Sequence, residues 1–332
     1  MKATAIAPAN IAFIKYWGRV DDALTLPANS SLSMNLSECL TTTTVEFSPQ
    51  REEDDITVAF YGEDPESLEG SKKDRIVRQL DRIRSLAGSH VHAKVVSKNS
   101  FPEGVGVASS ASAFAALTVA AARAIGLSLS EKELTILARL SGSGSACRSI
   151  PDGIVLWEKG VDHDTSSAYS LFPPNHWNLV DIVCLVSKKE KTVGSREGHA
   201  GAWTSPYYRL RLQKLPKRTQ KITTALAEKN LSAFGPILEE EAVDLHLITM
   251  SQKPPLFYWL GKTIDLIHAV QQWRMEGCEA YFTFDAGSCV HILCQQQSKE
   301  EVVKRLHQFD EKMQLIINTP AQGTRLTDTH LF

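Results

Sequence analysis

The sequence predicts an α+β protein in two halves. Strand-like alternation dominates the first third, long helical periods fill residues 206–275, and the two kinds of segment do not alternate regularly. The 332 residues are 43% apolar and 22% charged, enough for a sizeable core and for two domains. The division is expected near 185, giving domains 1–185 and 186–332.

Leu32, Met34 and Leu36 alternate with polar residues, as do Val45 and Phe47, and Ile56–Tyr61 ends at a turn containing Gly62. Ile76, Leu80, Ile83 and Leu86 then mark a helix over 72–86, and Val91, Ala93 and Val95 return to strand period. Ser109 to Ile125 reads as a small-residue helix stopped by Gly126, and Ser130-x-x-Glu133 opens another with a capping box. Strands follow at Val155–Trp157 and Leu179–Ser187, then helices at 206–229, 231–250 and 256–275. Ala280–Phe284, the turn Asp285-Ala-Gly287 and Val290–Leu293 make a strand–turn–strand. Ser298-x-x-Glu301 is expected to cap a last helix before a strand at Gln314–Asn318.

A net charge of −2 gives no reason to expect nucleic acid or an anionic membrane as partner, so any cationic pocket is local. No stretch reaches the roughly 18 apolar residues of a membrane span, and the N-terminus carries no signal-peptide pattern. Cys39, Cys147, Cys184, Cys278, Cys289 and Cys294 form no CxxC pair and read as reduced core residues. A cytoplasmic protein that takes a small-molecule substrate is expected.

Five segments carry candidate chemistry. Phe101 to Ala113 joins Gly104 and Gly106 to Ser109 and Ser110 at a helix start, where free N–H groups and the dipole favour phosphate. No GK[ST] follows, so it is not a Walker A loop, and a capped Gly-rich turn is the competing reading. Ser141 to Ser149 sets Ser143, Gly144 and Ser145 before Arg148, suited to a forked grip on an anion, or else a flexible linker. Lys15 is a lone cation in the apolar run Ala7–Arg19; it either reaches solvent at a strand end or faces a phosphate or carboxylate. Asp285 sits at a tight turn after an apolar strand, a turn former or a carboxylate held to take a proton. Thr192–His199 places Ser195, Arg196 and His199 in a glycine-flanked loop.

Together and in this order these segments resemble one family. P-x-x-x-G-x-A-S-S-A is similar to the phosphate loop of the superfamily named for galactokinase, homoserine kinase, mevalonate kinase and phosphomevalonate kinase. N-I-A-x-x-K-Y-W-G at 10–18, L-P-x-N-S-S-L-S at 26–33, G-S-G-S-A-C-R-S at 142–149, V-x-S-x-x-G at 193–198 and T-F-D-A-G at 283–287 narrow it. They resemble the mevalonate diphosphate and phosphomevalonate decarboxylases, over nearly the whole chain. The resemblance implies a ribosomal-protein-S5-like, ATP-binding N-terminal half and a ferredoxin-like, substrate-binding C-terminal half, and commonly a homodimer. It implies ATP and Mg²⁺, with no protein metal ligand singled out. ATP would phosphorylate the 3-hydroxyl of a 5-phosphorylated mevalonate, and phosphate and CO₂ would then leave. By the same resemblance Asp285, Lys15 and Arg148 are catalytic: Asp285 works on the hydroxyl, Lys15 keeps it ionised, and Arg148 binds the substrate carboxylate. Ser143, Gly144 and Ser145 would line the substrate site, Tyr16, Arg19, Ser195, Arg196 and His199 the phosphate end, and Gly104, Gly106, Ser109 and Ser110 the ATP phosphates.

The chain departs from the usual decarboxylase pattern at Arg19 for Lys, Val20 for Arg, His199 for Met, and Ser288-Cys289 for Pro-Asn. Arg19 can fork onto one phosphate, and His199 adds bulk and a donor where an outer phosphate would lie. These changes favour mevalonate 5-phosphate over the 5-diphosphate as the expected substrate. A kinase that stops at the 3-phosphate and a non-catalytic ATP-binding homologue are the other readings. His92, His246, His268 and His291 show no metal-ligand spacing, and Arg78 is a candidate to face the cleft.

Overall fold

The computed structural model describes residues 1–103, 106–187 and 195–332, with the side chains of 195–197 left out. The chain runs β1 (Lys2–Ile14), a short hairpin β2 (Arg19–Asp21) and β3 (Leu26–Pro27), β4 (Ser31–Ser48), β5 (Asp55–Ala59), β6 (Glu66–Ser67), α1 (Gly70–Ala87), β7 (His92–Asn99), α2 (Ser109–Ala124) and α3 (Glu131–Arg139). A 3₁₀ turn (Gly144–Ser149) leads to β8 (Ile154–Trp157) and β9 (Ala168–Phe172). Then come β10 (Leu179–Leu185), α4 (Ser195–Gly201), α5 (Tyr208–Ala227), α6 (Leu231–Ser251), α7 (Gly261–Met275), β11 (Tyr281–Thr283), β12 (Val290–Gln295), α8 (Lys299–Phe309), β13 (Gln314–Asn318) and β14 (Arg325–Thr327).

The α+β class holds, in two sheets. The larger runs β14-β1-β4-β7-β5-β6, with β8 and β9 continuing from the first half of β4; only β5 and β7 pair in parallel. The smaller is β11-β12-β10-β13, antiparallel throughout. Strand pairing therefore puts Leu179–Leu185 in the second sheet, whereas the sequence reading left it in the first half. Its buried Val, Ile and Cys side chains need both β12 and β13 beside them. Conversely β14, unmarked in sequence, returns to pair with β1.

Three local features position the site. The first is α2, whose Ala115, Ala116, Ala120 and Ala121 are fully buried against the first sheet. Small side chains let the helix lie close over β1 and β4, which fixes where its N-terminus points. Gly126, with φ of +91°, ends the helix as expected. The second is a register shift in β1 between Pro8 and Asn10. Before it, Ala3, Ala5 and Ala7 face the core under α2; after it, Ala9, Ile11 and Phe13 face the core shared with the second half. Asn10 and Ala12 are thereby turned towards the site. The third is α6, which packs on β11 through Gly235: a Cβ there would fall inside the Tyr281 ring.

The Ser130–Glu133 capping box forms with both reciprocal bonds. Ser298 makes no side-chain cap bond to α8, because its backbone is already helical. The helix expected from 256 begins at 261, since Leu256 and Tyr258 are spent on a buried apolar cluster beside Trp17.

Gly235→Ala tests the α6–β11 contact. In an open helix this change stabilises by about 1 kcal/mol. Here overpacking against Tyr281 is expected to destabilise by roughly 1–3 kcal/mol in urea unfolding, and a stabilised variant would contradict that packing.

Candidate active site

Beyond Ile14 the chain leaves the sheet, and Lys15 turns inward with 1% of its side chain exposed. Its ammonium donates to the Ala12 carbonyl at 2.6 Å and to Asp285 Oδ1 at 2.9 Å. Burial lowers the lysine pKa, and Asp285 and Glu241 oppose that fall. Burial also works against the charge on Asp285, but the Lys15 ammonium, with help from His291 and Arg148, outweighs it and leaves the carboxyl below its ordinary value. The pairing thus favours the ionised carboxylate on Asp285 and works against loss of the Lys15 proton. The pair joins the end of β1 to the turn after β11, residues 270 positions apart.

Arg148 closes the opposite wall, on the 3₁₀ turn that follows α3. It is 2% exposed, with Nη1 donating to Ser31 Oγ at 2.6 Å and Nε and Nη2 to Asn10 Oδ1 at 3.3 and 3.1 Å. Those three bonds leave about two of the five guanidinium N–H donors for a ligand. Among the described residues no carboxylate forms an ion pair with it. Burial lowers its pKa, yet an arginine remains charged, so the cavity holds a desolvated cation in want of an anion.

Lys15, Arg148 and Asp285 line one cavity of about 270 Å³ with Tyr16, Arg19, Gly106, Ser109, Ser110, Ser143, Gly144, Ser145 and His199. Of the residues singled out in sequence, Gly104 lies outside the described residues, as do the side chains of Ser195 and Arg196 at the start of α4. The other expected catalytic, substrate and ATP residues come together, whereas Arg78 does not join them. Ala108 at the N-cap of α2 makes no side-chain cap; the Ser109 and Ala111 N–H groups turn back onto the Val107 and Ala108 carbonyls at 2.7 and 2.9 Å, and the positive end of the helix lies beside Ser109 and Ser110. Ser110 and Ser143 hydroxyls meet at 3.0 Å, tying the phosphate-type loop to the Arg148 turn. Gly106 has φ of +119°, and a Cβ there would come within 3.1 Å of Cys289 N and 3.3 Å of Gly287 Cα. Only glycine lets this loop touch the Asp285–Gly287 turn. Gly144 is similarly needed, because a Cβ would meet Trp157 at 2.8 Å and Tyr16 at 3.0 Å.

At the far end, Arg19 donates to Tyr16 Oη at 2.7 Å and to the Gly142 carbonyl at 3.3 Å, and pairs with Asp22 at its exposed edge. His199 lines the cavity with its ring held in place. Its ring lies against Tyr16 and Trp17, centroids 4.1 and 4.6 Å apart, and Nδ1 accepts the Gly18 N–H at 3.0 Å. Arg78 is exposed, and Arg75 is the α1 cation at the cavity wall, its guanidinium 5.0 Å from the Phe114 ring. A second, more apolar cavity of about 170 Å³ shares Arg75, Ser109 and Ser110 and is walled by Phe60, Ile76, Phe114 and Leu117.

Two support groups went unread in sequence. One is the fully buried Glu241, held by Arg211 and Arg218. The other is Asn10 with Ser31, which aim Arg148. Glu241 carries a legible signal: it interrupts the buried stripe Leu238, Ala242, Leu245 of α6, as Lys15 interrupts that of β1.

A helix N-terminus with serine hydroxyls, a buried cation and a lysine-held carboxylate, set in one cleft of an α+β fold, define an ATP-dependent phosphoryl-transfer class of enzyme. Residues 7–168 match the diphosphomevalonate decarboxylase-like N-terminal domain, and 181–327 the mevalonate 5-diphosphate decarboxylase C-terminal domain. The diphosphomevalonate decarboxylase of Saccharomyces cerevisiae is 34% identical, over 90% of this chain and 79% of its own length. The human one is 35% identical, over 86% and 74%. Mevalonate diphosphate decarboxylase of Enterococcus faecalis superposes with a TM-score of 0.91 at 34% identity, covering 99% of both chains. The complex of MDDEF with MVAPP, AMPPCP and magnesium superposes at 0.92, with 35% identity and 99% of both chains covered. The chain belongs to the diphosphomevalonate decarboxylase family.

The ion pair makes a prediction of definite sign. In Lys15→Met, burial of Asp285 is no longer opposed by the ammonium, so the carboxyl pKa rises above the ordinary 3.8 instead of lying below it. Titration of a ¹³C-labelled aspartate carboxyl in wild type and variant measures the shift, and equal titration in both would contradict the pairing.

Proposed function

We propose that the protein is an ATP-dependent carboxy-lyase that converts mevalonate 5-diphosphate to isopentenyl diphosphate, with release of ADP, phosphate and CO₂. The observation that carries the reading is Arg148, a buried guanidinium with no carboxylate partner among the described residues, facing the Lys15–Asp285 pair across the same cavity as the start of α2. A kinase site needs the last two; a desolvated cation beside them suits a substrate that also carries a carboxylate.

The substrate expected from sequence, mevalonate 5-phosphate, gives way to the diphosphate. The Saccharomyces cerevisiae and human relatives are diphosphomevalonate decarboxylases, and the placement of Arg19 and His199 is compatible with the longer substrate. His199 lines the cavity with its ring held against Tyr16 and Trp17 and Nδ1 taken by the Gly18 N–H, which supports a ring fixed at the wall with room beside it for a longer phosphate chain. Arg19 is braced on Tyr16 and Gly142, which holds its guanidinium at the cavity edge for a longer phosphate chain.

In this reading the substrate carboxylate pairs with Arg148, while Ser143 and Ser145 take its neighbouring oxygens. The 3-hydroxyl lies against Asp285, whose ionised carboxylate accepts its proton as the oxygen bonds to the γ-phosphorus of ATP and the bond to ADP breaks. The C3–O bond then breaks with the phosphate, and the bond to the carboxylate carbon supplies the electrons of the new double bond as CO₂ departs. Lys15 stays beside the developing charge at the oxygen. Ser109, Ser110 and the N–H groups of α2 would cradle the ATP phosphates, and the apolar cavity behind Phe114 would take the nucleoside. The hydroxyl oxygens of Ser109 and Ser110 are hard donors of the kind Mg²⁺ accepts alongside phosphate oxygens. Mg²⁺, when bound, neutralises charge on those phosphates.

Purified protein with ATP, Mg²⁺ and ¹⁴C-carboxyl mevalonate 5-diphosphate is expected to release labelled CO₂ in step with ADP. Turnover is expected to exceed that of the monophosphate, and the opposite ratio would reinstate the shorter substrate. ADP without CO₂ would mean a kinase. Asp285→Ala is expected to lower kcat by roughly 10³-fold, and an active variant would remove Asp285 from the mechanism.

A further inference from the structure

Away from the cavity lining, α6 carries two buried titratable side chains that the reaction above does not use, Glu241 and His246. One Glu241 carboxylate oxygen accepts the Lys15 main-chain N–H at 3.0 Å. The same oxygen pairs with Arg211, whose Nη2 also donates to the Lys15 carbonyl at 3.1 Å, and Arg218 holds the other oxygen. Both polar groups of the Lys15 main chain are thus gripped by one ion-paired unit. Five residues further along α6, His246 stacks on Trp259 with centroids 4.8 Å apart and meets Phe284 edge-on at 5.5 Å. Its ring lies close enough to the Asp285 main chain to feel it, and burial keeps the imidazole neutral, its pKa lowered to about 3.

Such contacts matter because neither Lys15 nor Asp285 lies in a strand. Sheet hydrogen bonds do not fix either of them, and they come from opposite ends of the chain. A buried charged cluster is also a poor source of stability compared with apolar packing, which leaves its geometry to be explained. We propose that α6 is the positioning element of this site. Glu241, through Arg211, sets where Lys15 enters the cleft, and His246 sets where the Asp285 turn does, so one rigid helix holds the ion pair at a single separation. The proposal rests on the decarboxylase reading for its kinetic test, though not for its structural one. Charge supports the geometry: the ammonium of Lys15 faces Asp285 from the turn, Glu241 and His246 from α6, and Arg148 from the 3₁₀ turn. Of these, Asp285 and Glu241 are the groups that sustain its proton against burial.

The test compares Glu241→Gln, His246→Leu and His246→Asn with wild type, using ATP and mevalonate 5-diphosphate, with crystal structures of each variant. In Glu241→Gln, kcat is expected to fall about 100-fold, with both KM values within about threefold. The alkaline limb of the rate should move to lower pH, because a carboxylate that raises the Lys15 pKa is gone. His246→Leu is expected to lose about tenfold in kcat, which His246→Asn, keeping a donor, largely restores. In Glu241→Gln and His246→Leu the Lys15–Asp285 separation is expected to widen past hydrogen-bond range. Folded variants with unchanged kcat, pH limb and separation overturn the proposal. Should Glu241→Gln not fold, the two His246 variants decide: equal loss in both, with the ion pair intact, overturns it. A wild type that releases no CO₂ fails the functional reading instead, and the crystallographic separation still decides the positioning.

Discussion

The rest of the site depends on the contact between Lys15 and Asp285, which crosses from the strand-rich half of the chain to the second sheet. Burial pulls the lysine towards its neutral form and the aspartate towards its acid. The 2.9 Å bond between them opposes the first tendency and outweighs the second. The remaining features are arranged so that this bond can form. The register shift at Pro8/Asn10 turns β1 so that its end delivers Lys15 inward. Gly106 lets the loop before α2 lie against the Asp285 turn, and Gly18, at φ of +80°, bends the chain away from Trp17 towards the β2–β3 hairpin.

The cavity is accordingly a set of cations and dipoles with one anion among them. Arg148, Arg19, Lys15 and the start of α2 line it, and among the described residues Asp285 is the single carboxylate in the lining. A protein of net charge −2 has gathered positive potential in one cleft. Such a cleft suits a ligand with several phosphates and a carboxylate. The lone anion is placed where a proton would have to be taken up. The six cysteines take no part: all are buried and none is paired, and burial raises the thiols of Cys147 and Cys289, which lie nearest the site, to about 12.

Much of this was legible in sequence because the responsible residues break a local pattern. Lys15 stands out in an apolar run, Arg148 in a small-residue loop, and Asp285 at the end of a strand; the Ser130 capping box and the Gly126 stop are written within a few positions of each other. What was not legible depends on partners distant in the chain. His199 lines the cavity as its loop suggested, but nothing local says that it also accepts a hydrogen bond from Gly18, 181 positions earlier. Arg75 and Arg78 differ only by which turn of α1 meets α2, a matter of packing. Leu179–Leu185 reads as a strand, but only pairing with residues 290–318 assigns it to the second sheet. Arg325–Thr327 is too short and too polar to announce itself before β1 is in place to receive it.

A crystal structure with mevalonate 5-diphosphate and a non-hydrolysable ATP analogue bound together tests the central claim most directly. The account predicts the 3-hydroxyl oxygen within about 3.2 Å of Asp285, with Lys15 still bonded to that carboxylate, and the substrate carboxylate on Arg148. A substrate bound the other way round, with its diphosphate on Arg148 and its 3-hydroxyl remote from Asp285, would contradict it.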